Sequence, residues 1–114
     1  MGGFLRSLFS KGGDYTDAET LRKAMNDPQA VIHLVDVRTP EEFAEAHIPG
    51  ATNIPYDEIG FRPPTEGRDE AIVVYCRTGN RSGSAERTLR GMGYKNVTNF
   101  GGLRDWPFEV VDNS

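Results

Sequence analysis

The residues best suited to chemistry form one short stretch, in which Cys76 is followed at once by a polar loop. Cys76 is the only cysteine of the chain, and a thiolate is a nucleophile. It ends an apolar run that begins at Ala71, and a predicted helix starts near Ser82. Such a position, at a strand end and a helix N-terminus, lowers the pKa of a thiol and binds anions. The sequence therefore predicts a reactive thiolate beside an anion-binding loop.

The loop itself contains residue types that suit this chemistry. Gly79 and Asn80 most readily adopt the positive φ that turns backbone amides inward. Arg77 and Arg81 add positive charge locally to a chain whose net charge is −4. The alternative, a buried cysteine that acts only as a small apolar side chain, would explain neither arginine.

Composition limits the classes of function. With 114 residues, 37% hydrophobic and 26% charged, the chain is expected to form one soluble domain. A pI near 5.1 argues against nucleic acid as the main partner. One cysteine and two separated histidines, His33 and His47, match no zinc pattern. The lone cysteine excludes an internal disulfide, and no apolar run approaches the roughly 20 residues of a membrane span. We expect a cytoplasmic protein without metal or other cofactor.

The two chain ends are expected to lie outside the domain. Residues 1–13 carry Phe4, Leu5, Leu8 and Phe9 at helical spacing. This segment is interpreted as a short docked helix, as a mobile tail, or as an anchor whose residues 4–9 contact a membrane surface or a partner. The predicted domain covers residues 14–110, and residues 111–114 form a C-terminal tail.

Between these ends, predicted helices and strands alternate, which indicates an α/β domain with a mostly parallel sheet and helices on both faces. Ligands of such sheets bind beyond the carboxyl ends of the strands, where Cys76 lies. The predicted elements are a helix capped by the box Thr16-Asp17-Ala18-Glu19, a strand from Val31 to Val37, a short helix capped by Thr39, a strand from Thr52 to Ile54, a strand from Ala71 to Tyr75, a helix from about Ser82 to Arg90, a strand from Asn96 to Phe100, and a last short helix with Leu103 and Trp106.

Several motifs, in order, resemble those of the rhodanese domain. They are Val35-Asp36-Val37-Arg38-Thr39-Pro40-Glu41-Glu42-Phe43, His47-Ile48-Pro49-Gly50-Ala51, Asn53-Ile54-Pro55, the loop from Cys76 to Ser82, and Gly101-Gly102-Leu103-Arg104-Asp105-Trp106. The resemblance runs from about Tyr15 to Trp106 and is to the single-domain type. It implies a five-stranded parallel sheet between helices, and transfer of sulfane sulfur through a cysteine persulfide.

The resemblance also implies roles for individual residues. Cys76 matches the sulfur-carrying nucleophile. Asp36 and Arg38 match a supporting pair at a strand end, and His47 a position interpreted as bonding to nearby backbone rather than as a general base. Trp106 is expected to pack under the active-site side. The loop expected to bind the substrate consists of Arg77, Thr78, Gly79, Asn80, Arg81 and Ser82.

The expected partners follow from this chemistry. Cys76 would take sulfur from a small anionic donor such as thiosulfate and pass it to cyanide or a thiol. Because no second cysteine is present, the acceptor must come from outside, either a small molecule or a protein such as a thioredoxin-like reductant. No metal or cofactor is needed, since thiolate is already the reactive form.

Two alternatives stay open. Phosphatases and arsenate reductases share this fold, but their loop holds one residue more than the four between Cys76 and Arg81. A rhodanese-like domain can also act as a protein-docking or regulatory module. Such modules usually lack the cysteine or the loop arginine, and this chain has both.

Overall fold

Alternating strands and helices build the part of the chain that the computed structural model describes, residues 14–112. The predictions for residues 1–13, and for positions 113 and 114, lie outside this range. The elements are α1 (Ala18–Met25), β1 (Ile32–Asp36), α2 (Pro40–Glu45), β2 (Ala46–His47), β3 (Thr52–Asn53), β4 (Ala71–Cys76), α3 (Asn80–Gly91), β5 (Val97–Gly102), a 3₁₀ helix (Leu103–Asp105) and β6 (Val111–Asp112). The predicted α/β class is confirmed.

The central sheet has four parallel strands in the order β3-β1-β4-β5. The expected count of five strands is wrong for residues 14–112. The sequence locates four strand segments, ending with Asn96 to Phe100, and the family resemblance implies a sheet of five. Ahead of α1 the chain forms a turn, in which the Thr16 amide donates to the Asp14 carboxylate. These residues therefore add no strand to the central sheet.

A second, two-stranded sheet pairs β2 with β6 in antiparallel fashion. Ala46 lies opposite Asp112, and His47 lies opposite Val111. Val111 and Asp112, which the sequence analysis assigned to a C-terminal tail, are thus hydrogen-bonded to the domain. These two residues form a strand and not a tail, because their extended backbone pairs with the edge of β2.

The inner strand β4 places its side chains alternately on the two faces of the sheet, as a strand must. Ile72, Val74 and Cys76 join the cluster that packs under Leu89 of α3. Val73 and Tyr75 belong to the opposite cluster, which also contains Leu21 of α1. Both faces are covered, so the apolar run from Ile72 onward is buried throughout. This alternation directs the Cys76 side chain toward α3.

Helix ends follow the sequence signals with two corrections. At α2, Thr39 caps the helix and forms a capping box with Glu42, as predicted in part from Thr39. At α1 the cap is Asp17 rather than Thr16, because the Asp17 carboxylate accepts from the Thr20 amide. Helix α3 begins at Asn80, two residues before the predicted start near Ser82. No helix within residues 14–112 is long and apolar enough to cross a membrane.

Candidate active site

The thiol of Cys76 lies at the carboxyl end of β4 and is 1% exposed. The chain then turns sharply and enters α3, so the first amides of the helix approach the sulfur. The Gly79 amide donates to Sγ at 3.0 Å, and the Ser82 amide lies 3.5 Å from it. The predicted meeting of the thiol with the loop and the helix N-terminus is present in the structure.

Two glycines allow this turn to form. Gly79, the N-cap of α3, has a φ of +107°, which favours glycine, and it offers no side chain to cap the helix amides. Gly102 at the end of β5 lies against the loop, where a Cβ would stand 2.0 Å from the Arg77 carbonyl oxygen. The loop after Cys76 therefore packs directly against the backbone at the end of β5.

The environment of Cys76 favours the thiolate. Burial alone raises the pKa of the thiol, since it disfavours charge. Hydrogen bonds from the Ser82 hydroxyl and from the amides of Ser82, Gly79 and Thr78 more than offset this effect. The pKa of Cys76 is therefore lowered from its ordinary value. Sγ and Ser82 Oγ are 3.4 Å apart.

Asn99 of β5 is a member of this site that the sequence analysis missed. Its Oδ1 accepts from the Ser82 hydroxyl at 2.7 Å and from the Gly101 amide at 2.9 Å. Its Nδ2 donates to the Gly79 carbonyl at 3.2 Å. Asn99 thus joins the sheet, the loop and the hydroxyl nearest the sulfur. Its only sequence signal was a polar residue two positions before Gly101.

Glu42 of α2 is the second residue that the sequence analysis missed. Its carboxylate accepts from both guanidinium nitrogens of Arg81, at 2.8 and 3.1 Å, and from Arg77 at 3.4 Å. The hydrogen bond from Arg81 is the largest cause that holds the pKa of Glu42 well below its usual range. The positive spot expected from the two arginines therefore contains a built-in counter-charge.

Asp36 and Arg38 form a buried ion pair, 0% and 4% exposed, at the end of β1. The guanidinium donates to both Asp36 oxygens, at 2.7 to 3.1 Å. Arg38 Nη2 also donates to the Ala46 carbonyl at 2.6 Å. The pair thus connects the central sheet to the start of β2, and both charges are satisfied within the protein.

His47 and Trp106 make structural contacts. His47 Nδ1 bonds to the Phe43 carbonyl at 2.8 Å, and the two rings stack at 3.7 Å. Trp106 Nε1 donates to the Glu109 carbonyl at 2.9 Å, and the indole packs edge-on against Phe100. His47 Nδ1 and Trp106 Nε1 are thus both hydrogen-bonded to backbone carbonyls.

An open cavity of about 330 Å³ lies beside the loop. It combines cationic, anionic and apolar groups, and the exposed Arg104 is among its lining residues. Over residues 14–112, no three His, Cys, Asp or Glu side chains are grouped as a metal site requires. The cavity is lined by Arg38, Glu42, Glu45, Ala46, Arg77, Leu103 and Arg104.

A family model described as a rhodanese-like domain matches residues 17–107. The thiosulfate sulfurtransferase PspE of Escherichia coli is 42% identical over 78 residues, covering 67% of this chain and 75% of that protein. A sulfurtransferase of Allochromatium vinosum is 40% identical over 91 residues, covering 79% and 84%. A solved rhodanese with anions from Escherichia coli has a TM-score of 0.67 and 37% identity, covering 72% of this chain and 99% of that one.

Proposed function

Because this chain belongs to the rhodanese-like family of sulfurtransferases, we propose that it moves sulfane sulfur from a donor such as thiosulfate to cyanide or a thiol through a persulfide on Cys76. The acceptor thiol is a small molecule or a thioredoxin-like protein. In the part of the chain that the structure describes, Cys76 is the one sulfur nucleophile available for this reaction.

The observation that carries the proposal is the set of donors around Cys76 Sγ. The Gly79 amide donates to the sulfur at 3.0 Å, the Ser82 amide lies 3.5 Å from it, and the Ser82 hydroxyl oxygen lies 3.4 Å from it. These groups stabilise negative charge on a thiolate, and they can equally receive charge on a persulfide. A structural cysteine in an apolar core would have its pKa raised instead.

In the proposed first step, the Cys76 thiolate attacks the outer sulfur of thiosulfate. The new bond joins Sγ to that sulfur, the bond to the sulfonate sulfur breaks, and its electron pair leaves with sulfite. In the second step an acceptor thiolate or cyanide attacks the outer sulfur of the persulfide and releases the Cys76 thiolate. Neither step needs a metal or an external redox partner.

The test is the intact mass of the reduced protein after incubation with thiosulfate, with Cys76→Ser as the control. We expect a gain of one sulfur atom in the parent protein only, and its removal by cyanide or by a thiol. A folded, reduced protein that gains no sulfur from thiosulfate or from an organic persulfide would contradict the proposal and favour a docking role for the domain.

A further inference from the structure

The Glu42 carboxylate is held in place from two directions. Oε1 accepts from Arg81 Nη1 at 2.8 Å and from the amide and hydroxyl of Thr39 at 3.1 and 3.2 Å. Oε2 accepts from Arg81 Nη2 at 3.1 Å and from Arg77 Nη2 at 3.4 Å. The Glu42 side chain is only 18% exposed. Because the capping box fixes it from the α2 side, this carboxylate cannot leave the arginines without giving up bonds at the helix start.

This arrangement places an internal anion on the cations that an external anion would use. The planar fork of an arginine binds one carboxylate or oxyanion in two-point fashion, and Glu42 already fills that role for Arg81. Arg77 is the more exposed of the two cations, with a side chain 69% exposed, but it also forms an ion pair with Glu42 at 3.4 Å. A donor with two negative charges therefore meets a partly neutralised pair of arginines and a nearby like charge.

We propose that Glu42 determines donor specificity in the proposed sulfur transfer, on which this inference rests: it weakens binding of dianionic inorganic donors and so favours organic persulfides. An organic persulfide needs no oxyanion site, because its leaving group is a thiolate. The Cys76 thiolate attacks the outer sulfur of R–S–SH. A new bond forms between Sγ and that sulfur as the S–S bond of the donor breaks. The electron pair leaves with R–S⁻, and the proton stays on the transferred sulfur.

The variant that tests this inference is Glu42→Gln. Glutamine suits the same position of a capping box, so the start of α2 is retained while the negative charge is removed. Glu41→Gln is the matched control, since it makes the same change of charge one residue away. Glu41 is exposed, whereas Glu42 is the carboxylate that contacts Arg77 and Arg81 within residues 14–112.

The first measurement requires no sulfur transfer. Cys76 is alkylated with iodoacetamide in the presence of increasing sulfate, an unreactive dianion. We expect sulfate to protect the Glu42→Gln protein at a concentration about tenfold lower than the parent protein, as for the gain of one charge-assisted contact. Glu41→Gln should resemble the parent. Equal protection of all three proteins, or weaker protection of Glu42→Gln, would overturn the inference.

The second measurement compares donors. The ratio of kcat/KM for thiosulfate to that for 2-hydroxyethyl persulfide, which has no oxyanion, should rise about tenfold in Glu42→Gln. A ratio that stays constant while both rates fall would mean that Glu42 only holds the loop, and it would overturn the inference. If no donor loads the parent protein while sulfate protection changes as expected, the proposed function fails and the charge effect at Glu42 stands.

Discussion

The Arg77 carbonyl and the α-carbon of Gly102 are in such close contact that a Cβ on Gly102 would stand 2.0 Å from the carbonyl oxygen. The contact follows from the sheet register, in which Cys76 of β4 lies opposite Gly102 of β5. The backbone just after Cys76 is thus supported by the neighbouring strand, and the shape of the loop depends on the absence of a side chain on Gly102.

Gly102→Ala should therefore damage the site more than its size suggests. The loop must move to admit the Cβ, so we expect a loss of about 1–3 kcal/mol in the free energy of unfolding and at least a tenfold slower persulfide formation. Gly91→Ala is the control, because a Cβ on Gly91 meets nothing within 4 Å. A helical alanine there should be neutral or stabilising by up to about 1 kcal/mol. Urea unfolding measures the stability of each variant, and loading with a sulfur donor measures its rate of persulfide formation. Equal stability and equal rates in the two variants would refute the close contact.

Alkylation of Cys76 against pH should show a midpoint below that of an ordinary thiol, about 8.5. The hydroxyl of Ser82 is the largest of the hydrogen-bonding causes that lower the pKa of Cys76. Ser82→Ala removes that donor and should raise the midpoint, so that less thiolate is present at neutral pH. The measurement is the rate of iodoacetamide reaction from acidic to alkaline pH. An unchanged midpoint in Ser82→Ala would contradict this account.

Asn99→Ala should shift the same midpoint in the opposite direction. In the parent protein the Ser82 hydroxyl is shared between Asn99 Oδ1, at 2.7 Å, and Cys76 Sγ, at 3.4 Å. Without the amide oxygen, that hydroxyl is expected to turn toward the thiolate and lower the pKa of Cys76 further. Combining the change with Ser82→Ala provides the control, because Asn99→Ala should not lower the midpoint when the hydroxyl is absent.

The contribution of Glu42 to stability should depend on pH. The pKa of this carboxyl is lower in the folded protein than in the unfolded chain, so its stabilisation is full above the unfolded pKa of about 4.3. It disappears as the pH falls toward the lower folded value. The gap in free energy of unfolding between parent and Glu42→Gln should therefore be about 1 kcal/mol at pH 7 and shrink below pH ~5. A gap that widens in acid would be inconsistent with the ion pair.

Arg38→Ala should be strongly destabilising. It leaves Asp36, which is 0% exposed, without the guanidinium that neutralises it. Removal of one partner of a buried ion pair costs about 3–5 kcal/mol. Lys95→Ala is the control, because Lys95 and Asp69 form an ion pair in which both side chains are 74% exposed. Its loss should change the free energy of unfolding by less than about 1 kcal/mol. Chemical unfolding compares the two, and similar losses would show that the burial of Arg38 adds nothing.

Local patterns were enough to predict the main elements of this fold. The apolar runs around β1 and β4 and the cap at Thr39 are short-range signals, and the structure bears them out. The capping box predicted from Thr16 was wrong, since Asp17 is the cap and both residue types suit that position. The choice between them is decided by contacts: Thr16 bonds to Asp14, while Asp17 reaches Thr20.

Long-range partnerships were beyond such patterns. Glu42 lies 39 residues from Arg81 in sequence, and Asn99 lies 17 residues from Ser82. Only the folded sheet brings α2 and β5 to the loop, so the ion pair and the amide network had no local signature. The thiol and the loop around it could be identified from the sequence, but the groups that hydrogen-bond to the loop come from other elements.

The near-complete burial of Cys76 has a consequence for where an incoming thiol attacks. In the proposed persulfide the outer sulfur lies about 2 Å from Sγ. A bulky acceptor would then meet the outer atom first, while the inner sulfur remains shielded by the loop and α3. Attack at the inner sulfur would release hydrosulfide and leave the protein trapped as a mixed disulfide. In the proposed transfer, the depth of the Cys76 sulfur would thus direct an incoming thiol to the outer sulfur and toward release of the Cys76 thiolate.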